Sequence, residues 1–123
     1  MQEANARGAR MALFPSGQDW KDARTAAQLE TTTHEDMHAG ELETSIILYA
    51  QPKLVRDGYE TADWLSNDRR HLLVEGMTAY IASGVIGRPS LASADKGKAV
   101  LTSLVRSFAD VLRVLQVEPD TMS

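Results

Sequence analysis

Apolar and polar residues alternate along this chain in a pattern that predicts helix and strand in turn. Residues 2–7 resemble the last turns of a helix that Gly8 closes, since glycine suits a left-handed helix cap. The apolar run at 9–15 stops at Pro-Ser-Gly, which is typical of a buried strand. Residues 19–30 then predict an amphipathic helix. The apolar positions of that helix are Trp20, Ala23, Ala27 and Leu29.

The second half of the chain predicts two further helices. Residues 41–50 form the first, with acidic residues in its first turn and an end at Pro52. Residues 94–116 form the second, because apolar residues recur there at helical spacing. They are Val100, Leu101, Leu104, Val105, Phe108, Val111, Leu112 and Leu115.

The remaining segments predict less regular structure. Residues 31–40 predict a loop, and the turn-rich residues 53–70 predict a surface crossing. Residues 71–83 are ambiguous and partly helical, and a glycine-bracketed connection follows at 84–89. Alternating strand and helix indicate an α/β layer architecture. A single visible strand cannot form a sheet, so its partner strands are expected to come from elsewhere.

Composition narrows the class of protein. A chain of 123 residues, 43% hydrophobic and 24% charged, has the profile of one globular domain. The absence of cysteine excludes disulfides, thiolate zinc sites and cysteine nucleophiles. The net charge of −4 argues against nucleic-acid binding. With no membrane-length apolar run and no signal peptide at its start, the chain is expected to be cytoplasmic, with no membrane partner.

The polar loop at 34–38 allows three interpretations. It matches H-E-x-x-H, in which two histidines one helical turn apart bind zinc and Glu35 acts as base. That zinc-protease hypothesis requires a helix, whereas the threonines at 31–33 and Asp36 disfavour one. A facial triad of His34, Asp36 and His71 is the second interpretation. The third is a solvated surface loop.

Three features favour a functional site over a solvated loop. Two imidazoles and several carboxylates lie within ten residues of one another. Gly40 permits a close approach of the backbone, and a helix N-terminus, which can orient an anion or a polarised carbonyl, follows directly.

Two segments of the chain resemble the creatininase family of amidohydrolases. The first is HAGELETS at 38–45, followed by PKLV at 52–55. The second is SGVIGRPSLASADKGK at 83–98, where a glycine-bracketed turn leads into the last helix. The segments occur in the family's order, and the resemblance extends over residues 2–116.

The resemblance implies a three-layer α/β/α creatininase-like fold, here a partial copy with few strands and a long C-terminal helix. It also implies an oligomer that hydrolyses a cyclic or non-standard amide bond of a small molecule with a divalent metal (zinc, manganese or iron). The family's main metal ligands lie in its N-terminal half and are not found in this sequence. Residues 1–123 are therefore expected to be the C-terminal portion of one creatininase-like domain, inactive alone.

The resemblance also implies roles for individual residues. His38 corresponds to the family histidine that faces the substrate and transfers protons, a role suited to imidazole. Glu43 corresponds to a glutamate that binds the metal directly or orients one of its ligands. Asp36 is a further catalytic candidate, which would position His38 or contact the substrate. Glu41 is interpreted as an acid that complements the helix dipole.

The other candidate residues are given structural roles. His34 and His71 are interpreted as surface residues, and Trp20 and Trp64 as packing or rim aromatics. A second hypothesis for the whole chain is a non-catalytic protein that pairs with itself or with a separate N-terminal half.

Overall fold

The computed structural model describes residues 1–8, 10–76 and 83–115. The predicted segment 71–83 therefore lies partly outside the described residues. The described α-helices are α1 (Gln2–Ala6), α2 (Gly17–Ala26), α3 (Glu41–Ala50), α4 (Leu72–Glu75) and α5 (Ala94–Val114). Short 3-10 helices occupy Pro52–Leu54, Tyr59–Thr61 and Pro89–Leu91. No helix among the described residues is long and apolar enough to cross a membrane.

The predicted α/β/α fold is wrong for the part of the chain that the structure describes, which is helical and contains no sheet. Its only strand-like backbone pairings, within residues 10–76 and 83–115, are single bridges between His38 and Ile86 and between Trp64 and Gly87. A parallel sheet needs several strands that pair over consecutive residues. The described residues supply no such set, so the layers implied by the family resemblance do not form here.

The predicted strand near the N-terminus is irregular for a local reason. The Asn5 side chain donates to the Met11 carbonyl at 2.9 Å and accepts from the Met11 amide at 2.8 Å. These are the backbone groups that a neighbouring strand would need. Leu13 remains 71% exposed, and the Phe14 ring contacts Phe108 of α5, with ring centroids 5.2 Å apart. Within residues 10–15, Phe14 therefore packs against a helix, and the segment is not part of a sheet.

The helices are where the local signals place them. Gly8, two residues after the end of α1, has φ +92°, as expected of a left-handed cap. Helix α2 begins two residues earlier than predicted because Ser16 and Asp19 form a reciprocal capping box, and it ends at Ala26 rather than at residue 30. Helix α3 has the predicted bounds, and α5 extends from the Ser93 cap to Val114.

The core lies where α5 packs against α2 and α3. It is centred on the small residues Ala23 and Ala27 of the α2 region and on Val100 of α5. Four partly buried residues surround this centre: Leu29, Ile46, Ala99 and Leu104. Trp20, which the pattern placed on the inner face of its helix, is instead 36% exposed.

Helices α3 and α5 approach each other closely at Gly97. A Cβ atom built on Gly97 would lie 1.9 Å from the carbonyl oxygen of Ser45 and 2.9 Å from the Cβ of Tyr49. Since real atoms do not approach so closely, only glycine fits at this point of α5. This contact fixes α5 against the helix that begins beside the predicted site loop.

Candidate active site

The segment 31–40 is a loop, as predicted, and this geometry excludes the H-E-x-x-H hypothesis. His34, Glu35 and His38 do not lie on a helix, so the two imidazoles do not stack one turn apart. Among the described residues there is no group of three or more His, Asp or Glu side chains that could hold a metal ion. The facial triad of His34, Asp36 and His71 is absent for the same reason.

His34 is exposed and joins the loop to the segment at 66–69. Its Nε2 atom contacts the carbonyl oxygen of Asn67. The Arg69 guanidinium lies 2.9 Å from the other ring nitrogen and donates to the His34 carbonyl at 2.7 Å. The imidazole is thus used in holding two surface segments together.

His38 is positioned by backbone pairing with Ile86. The amides of Met37 and His38 both donate to the Ile86 carbonyl, and the Ile86 amide donates back to the His38 carbonyl, each at 2.9 Å. The next residue, Gly87, exchanges two hydrogen bonds with the backbone of Trp64. Ile86 is fully buried, so His38 is held by a peptide segment that is itself anchored in the interior.

Two glycines bring the two family-like segments into contact. A Cβ on Gly40 would lie 3.0 Å from the Cα of Gly87 and 2.0 Å from Oδ1 of Asp36. A Cβ on Gly87 would lie 2.7 Å from the Cα of Gly40. The backbones of segments 38–45 and 83–98 therefore touch without side chains between them.

His38 and Glu43 face one cavity. Nδ1 of His38 lies 3.7 Å from Oε1 of Glu43, and the two side chains are 56% and 55% exposed. The same glutamate oxygen accepts from the Ala39 amide at 2.7 Å, which holds the carboxylate across the start of α3. The cavity beside them has a volume of about 440 Å³, which lies within the range of small-molecule sites. An imidazole next to a fixed carboxylate can exchange protons with a bound ligand.

Asp36 lies behind this site rather than in the cavity. Its side chain is 2% exposed and accepts from the Arg24 guanidinium at 2.7 Å. The same oxygen accepts from the Leu42 amide at 3.0 Å. The amides of a first helical turn have no acceptor within the helix, and a side chain at the N-cap often accepts from one of them. The N-cap of α3 is Gly40, which has no side chain, so Asp36 serves as this acceptor instead. Asp36 does not line the cavity that His38 and Glu43 share.

We expect Asp36→Asn to lower the free energy of unfolding by about 1.5–3 kcal/mol, because Arg24 and the Leu42 amide lose a charged acceptor. Urea denaturation followed by circular dichroism measures this change. Asp110→Asn is the matched control, since its ion pair with Arg113 is exposed and the change should stay within about 0.5 kcal/mol. Equal stability of Asp36→Asn and the unmodified chain would contradict this structural role.

Glu41 is the residue whose role the sequence did not reveal. It is fully buried and accepts from Lys96 Nζ at 2.7 Å. It also accepts from the amides of Glu30 and Thr31 and from the Thr31 hydroxyl. An acidic residue in a first helical turn is ordinarily a surface residue, and only the fold shows that these donors surround it.

The charges of Glu41 and Lys96 depend on each other. Burial opposes ionisation of the Glu41 carboxylate, but the hydrogen bonds from Lys96, Thr31 and Glu30 outweigh it and lower its pKa. Burial likewise opposes the charge of Lys96, but its bonds to Glu41 and Glu30 outweigh this and raise its pKa. Both groups are therefore ionised at neutral pH and join the start of α5 to the start of α3.

Comparison with known proteins supplies the family context. A family model described as creatininase, creatinine amidohydrolase, matches residues 1–112. Mycofactocin precursor peptide peptidases from two strains of Mycobacterium tuberculosis, CDC 1551 / Oshkosh and ATCC 25618 / H37Rv, are each 31% identical over 94 residues. Each match covers 71% of this chain but 36% of the relative, so the chain spans about a third of the length of these relatives. No solved structure matches the chain.

Proposed function

The chain belongs to the creatininase family, and from this membership we propose that it contributes part of the active site of an amidohydrolase. The bond cleaved is a cyclic or non-standard amide. The observation that supports this most directly is the pair His38 and Glu43, which lies in the family-like segment 38–45 and faces a cavity of about 440 Å³. The peptidase function in the names of the two relatives also favours cleavage of a C–N bond.

The family is generally metal-dependent, but the described residues do not complete a metal site. His38 and Glu43 supply two donors that face the cavity, and within residues 10–76 and 83–115 no third His, Asp or Glu lies near enough to form a metal-holding group with them. Structural and catalytic metal sites ordinarily use three or more protein ligands. We propose that zinc, manganese or iron would need further ligands from polypeptide outside this chain, so that this chain is inactive alone.

The chemistry that this chain can supply itself is proton transfer. His38 would accept a proton from the water that adds to the amide carbon and deliver it to the nitrogen of the amine that leaves when the C–N bond breaks. Glu43, 3.7 Å away, would stabilise the imidazolium ion formed between these two steps. The Ala39 amide fixes the Glu43 carboxylate for this purpose. Asp36 would act indirectly, by holding the loop and the start of α3.

A chimera tests this proposal. We replace the aligned segment of the mycofactocin precursor peptide peptidase with the matching residues of this chain and measure cleavage of the precursor peptide in the presence of divalent metal. We expect cleavage, and we expect His38→Gln in the chimera to lower kcat by about 10²- to 10⁴-fold, the usual effect of losing a general acid–base residue. His71→Gln is the control, since His71 is exposed and does not line the cavity.

Three results would count against the proposal or one of its parts. A chimera that folds, by circular dichroism, but leaves the peptide intact would favour the non-catalytic hypothesis, in which this chain only pairs with another polypeptide. A His38→Gln chimera that cleaves at the original rate would remove His38 from the mechanism. Hydrolysis by the 123-residue chain alone would contradict the proposal that it is inactive without a partner.

A further inference from the structure

The cavity beside His38 is apolar over most of its wall. Side chains from α3 and from residues 54–59 line it, together with Val85 and Pro89 of the second family-like segment. The apolar members from α3 and residues 54–59 are Ile47, Leu54, Val55 and Tyr59. Besides His38, the ionisable side chains of the lining, counted over the described residues, are those of Glu43, Arg56, Asp57 and Tyr59. Arg56 is therefore the one permanent cation of this described lining.

The Arg56 guanidinium has no hydrogen-bond or ion-pair partner among the described residues; the same holds for those of Arg7, Arg10 and Arg106, but of these four only Arg56 lines the cavity beside His38. Arg24 is paired with Asp36, Arg88 with Asp63 and Arg113 with Asp110. No hydrogen bond or ion pair joins Arg56 to any residue within 1–8, 10–76 and 83–115, not even to its neighbour Asp57. Its guanidinium thus retains its full set of donors at the cavity wall.

We propose that Arg56 binds a carboxylate of the substrate, so that the cavity accepts amides of the N-acyl amino acid class. Arg56 is exposed at the cavity wall, and guanidinium and carboxylate match in a bidentate, charge-assisted geometry. Glu43 repels a carboxylate and therefore orients the ligand, with the anionic end at Arg56 and the amide at His38 and Glu43. The placement of the amide at His38 and Glu43 rests on the proposed function. The binding of a carboxylate by Arg56 does not.

The experiment compares hippurate, an N-acyl amino acid, with hippuramide, its neutral amide. Both are titrated into the 123-residue chain and binding is followed by isothermal titration calorimetry at 0.15 M salt, where distant surface charges are largely screened. We expect hippurate to bind about tenfold to a hundredfold more tightly than hippuramide, as for a charged hydrogen-bonded pair. In Arg56→Gln the ratio of the affinity for hippurate to the affinity for hippuramide should fall to about one.

Two matched variants separate direct contact from net charge. Lys53→Gln removes one positive charge three residues away from Arg56, and Lys53 does not line the cavity, so the ratio should be retained. Asp57→Asn removes a negative charge from the cavity wall, so the preference for hippurate should increase. His38→Gln should leave the ratio of the two affinities unchanged even though it lowers kcat in the chimera.

Several outcomes would overturn the assignment. These are equal affinity for the two ligands, no measurable binding of either, or an equal loss of preference in Lys53→Gln and Arg56→Gln. Failure of the proposed function has a different signature, because the chimera would then be inactive while hippurate still depended on Arg56 for binding.

Discussion

Replacing Gly97 by alanine is expected to lower the free energy of unfolding by about 3 kcal/mol or more, at the upper end of the usual cost of overpacking a core. The added Cβ would meet the Ser45 carbonyl oxygen at 1.9 Å and the Ser45 carbonyl carbon at 2.5 Å. These are backbone atoms of α3, so no side-chain rotation relieves the clash and the two helices must separate. Their separation would open the core around Val100.

The sign of this effect makes the test informative. In an exposed helix interior, a change from glycine to alanine stabilises by about 1 kcal/mol, so a large loss can come only from the contact between α3 and α5. Gly17→Ala is the matched control, because nothing lies within 4 Å of the Cβ added at the start of α2. Urea denaturation should place Gly17→Ala at or slightly above the unmodified chain. A Gly97→Ala variant as stable as that control would mean that α3 and α5 do not pack as described.

Replacing Lys96 by methionine is expected to lower the free energy of unfolding by about 3–5 kcal/mol at pH 7. Methionine preserves much of the apolar stem, but it leaves the Glu41 carboxylate buried without its cation. A buried carboxylate without a cation destabilises the folded state even though the amides of Glu30 and Thr31 and the Thr31 hydroxyl still donate to it. Lys98→Met, on the exposed side of α5, is the matched control and should change stability by no more than about 0.5 kcal/mol.

The pH dependence of the same variant identifies the cause. In the unmodified chain the folded-state pKa of Glu41 lies below the ordinary value of 4.5, so its stabilisation is present above that value and is lost as the pH falls through the lowered pKa. The pKa of Lys96 is raised above 10.5, so its stabilisation is lost only as the pH rises through that higher value.

In Lys96→Met, acid protonates the buried Glu41 carboxyl and removes the unpaired charge. The difference in stability between this variant and the unmodified chain should therefore shrink between pH 7 and pH 4. The double variant Glu41→Gln/Lys96→Met should be more stable than Lys96→Met at pH 7. A difference that stays constant with pH would show that packing, rather than the buried charge, explains the loss.

Local signals in the sequence predicted the helices well. The acidic first turn and Pro52 bound α3, and the spacing of apolar residues locates α5. These signals lie within a few residues of the structure that they specify. The strand at 9–15 failed because pairing depends on partners far along the chain, and the Asn5 side chain takes the backbone groups of Met11 instead.

In the candidate site, too, only features that depend on residues close in sequence could be predicted. His38 and Glu43 lie in one short segment, and the structure places them 3.7 Å apart at one cavity. The distinct environments of Asp36 and Glu41 depend on Arg24 and Lys96, which are remote in sequence. Residues 54–59 were predicted only to cross the surface of the domain. No local pattern in their sequence shows that they line a cavity next to α3.

The contact between Gly40 and Gly87 limits how a site of this design can diversify. Because neither position tolerates a side chain, the backbone that holds His38 in place is fixed in shape, and substitutions of the two glycines would impair folding. We expect variation in ligand preference to arise instead at the cavity lining formed by Ile47 and residues 54–59. Among members that share the glycine pair, differences in substrate should follow differences in that lining, which makes it the place to begin a redesign of specificity.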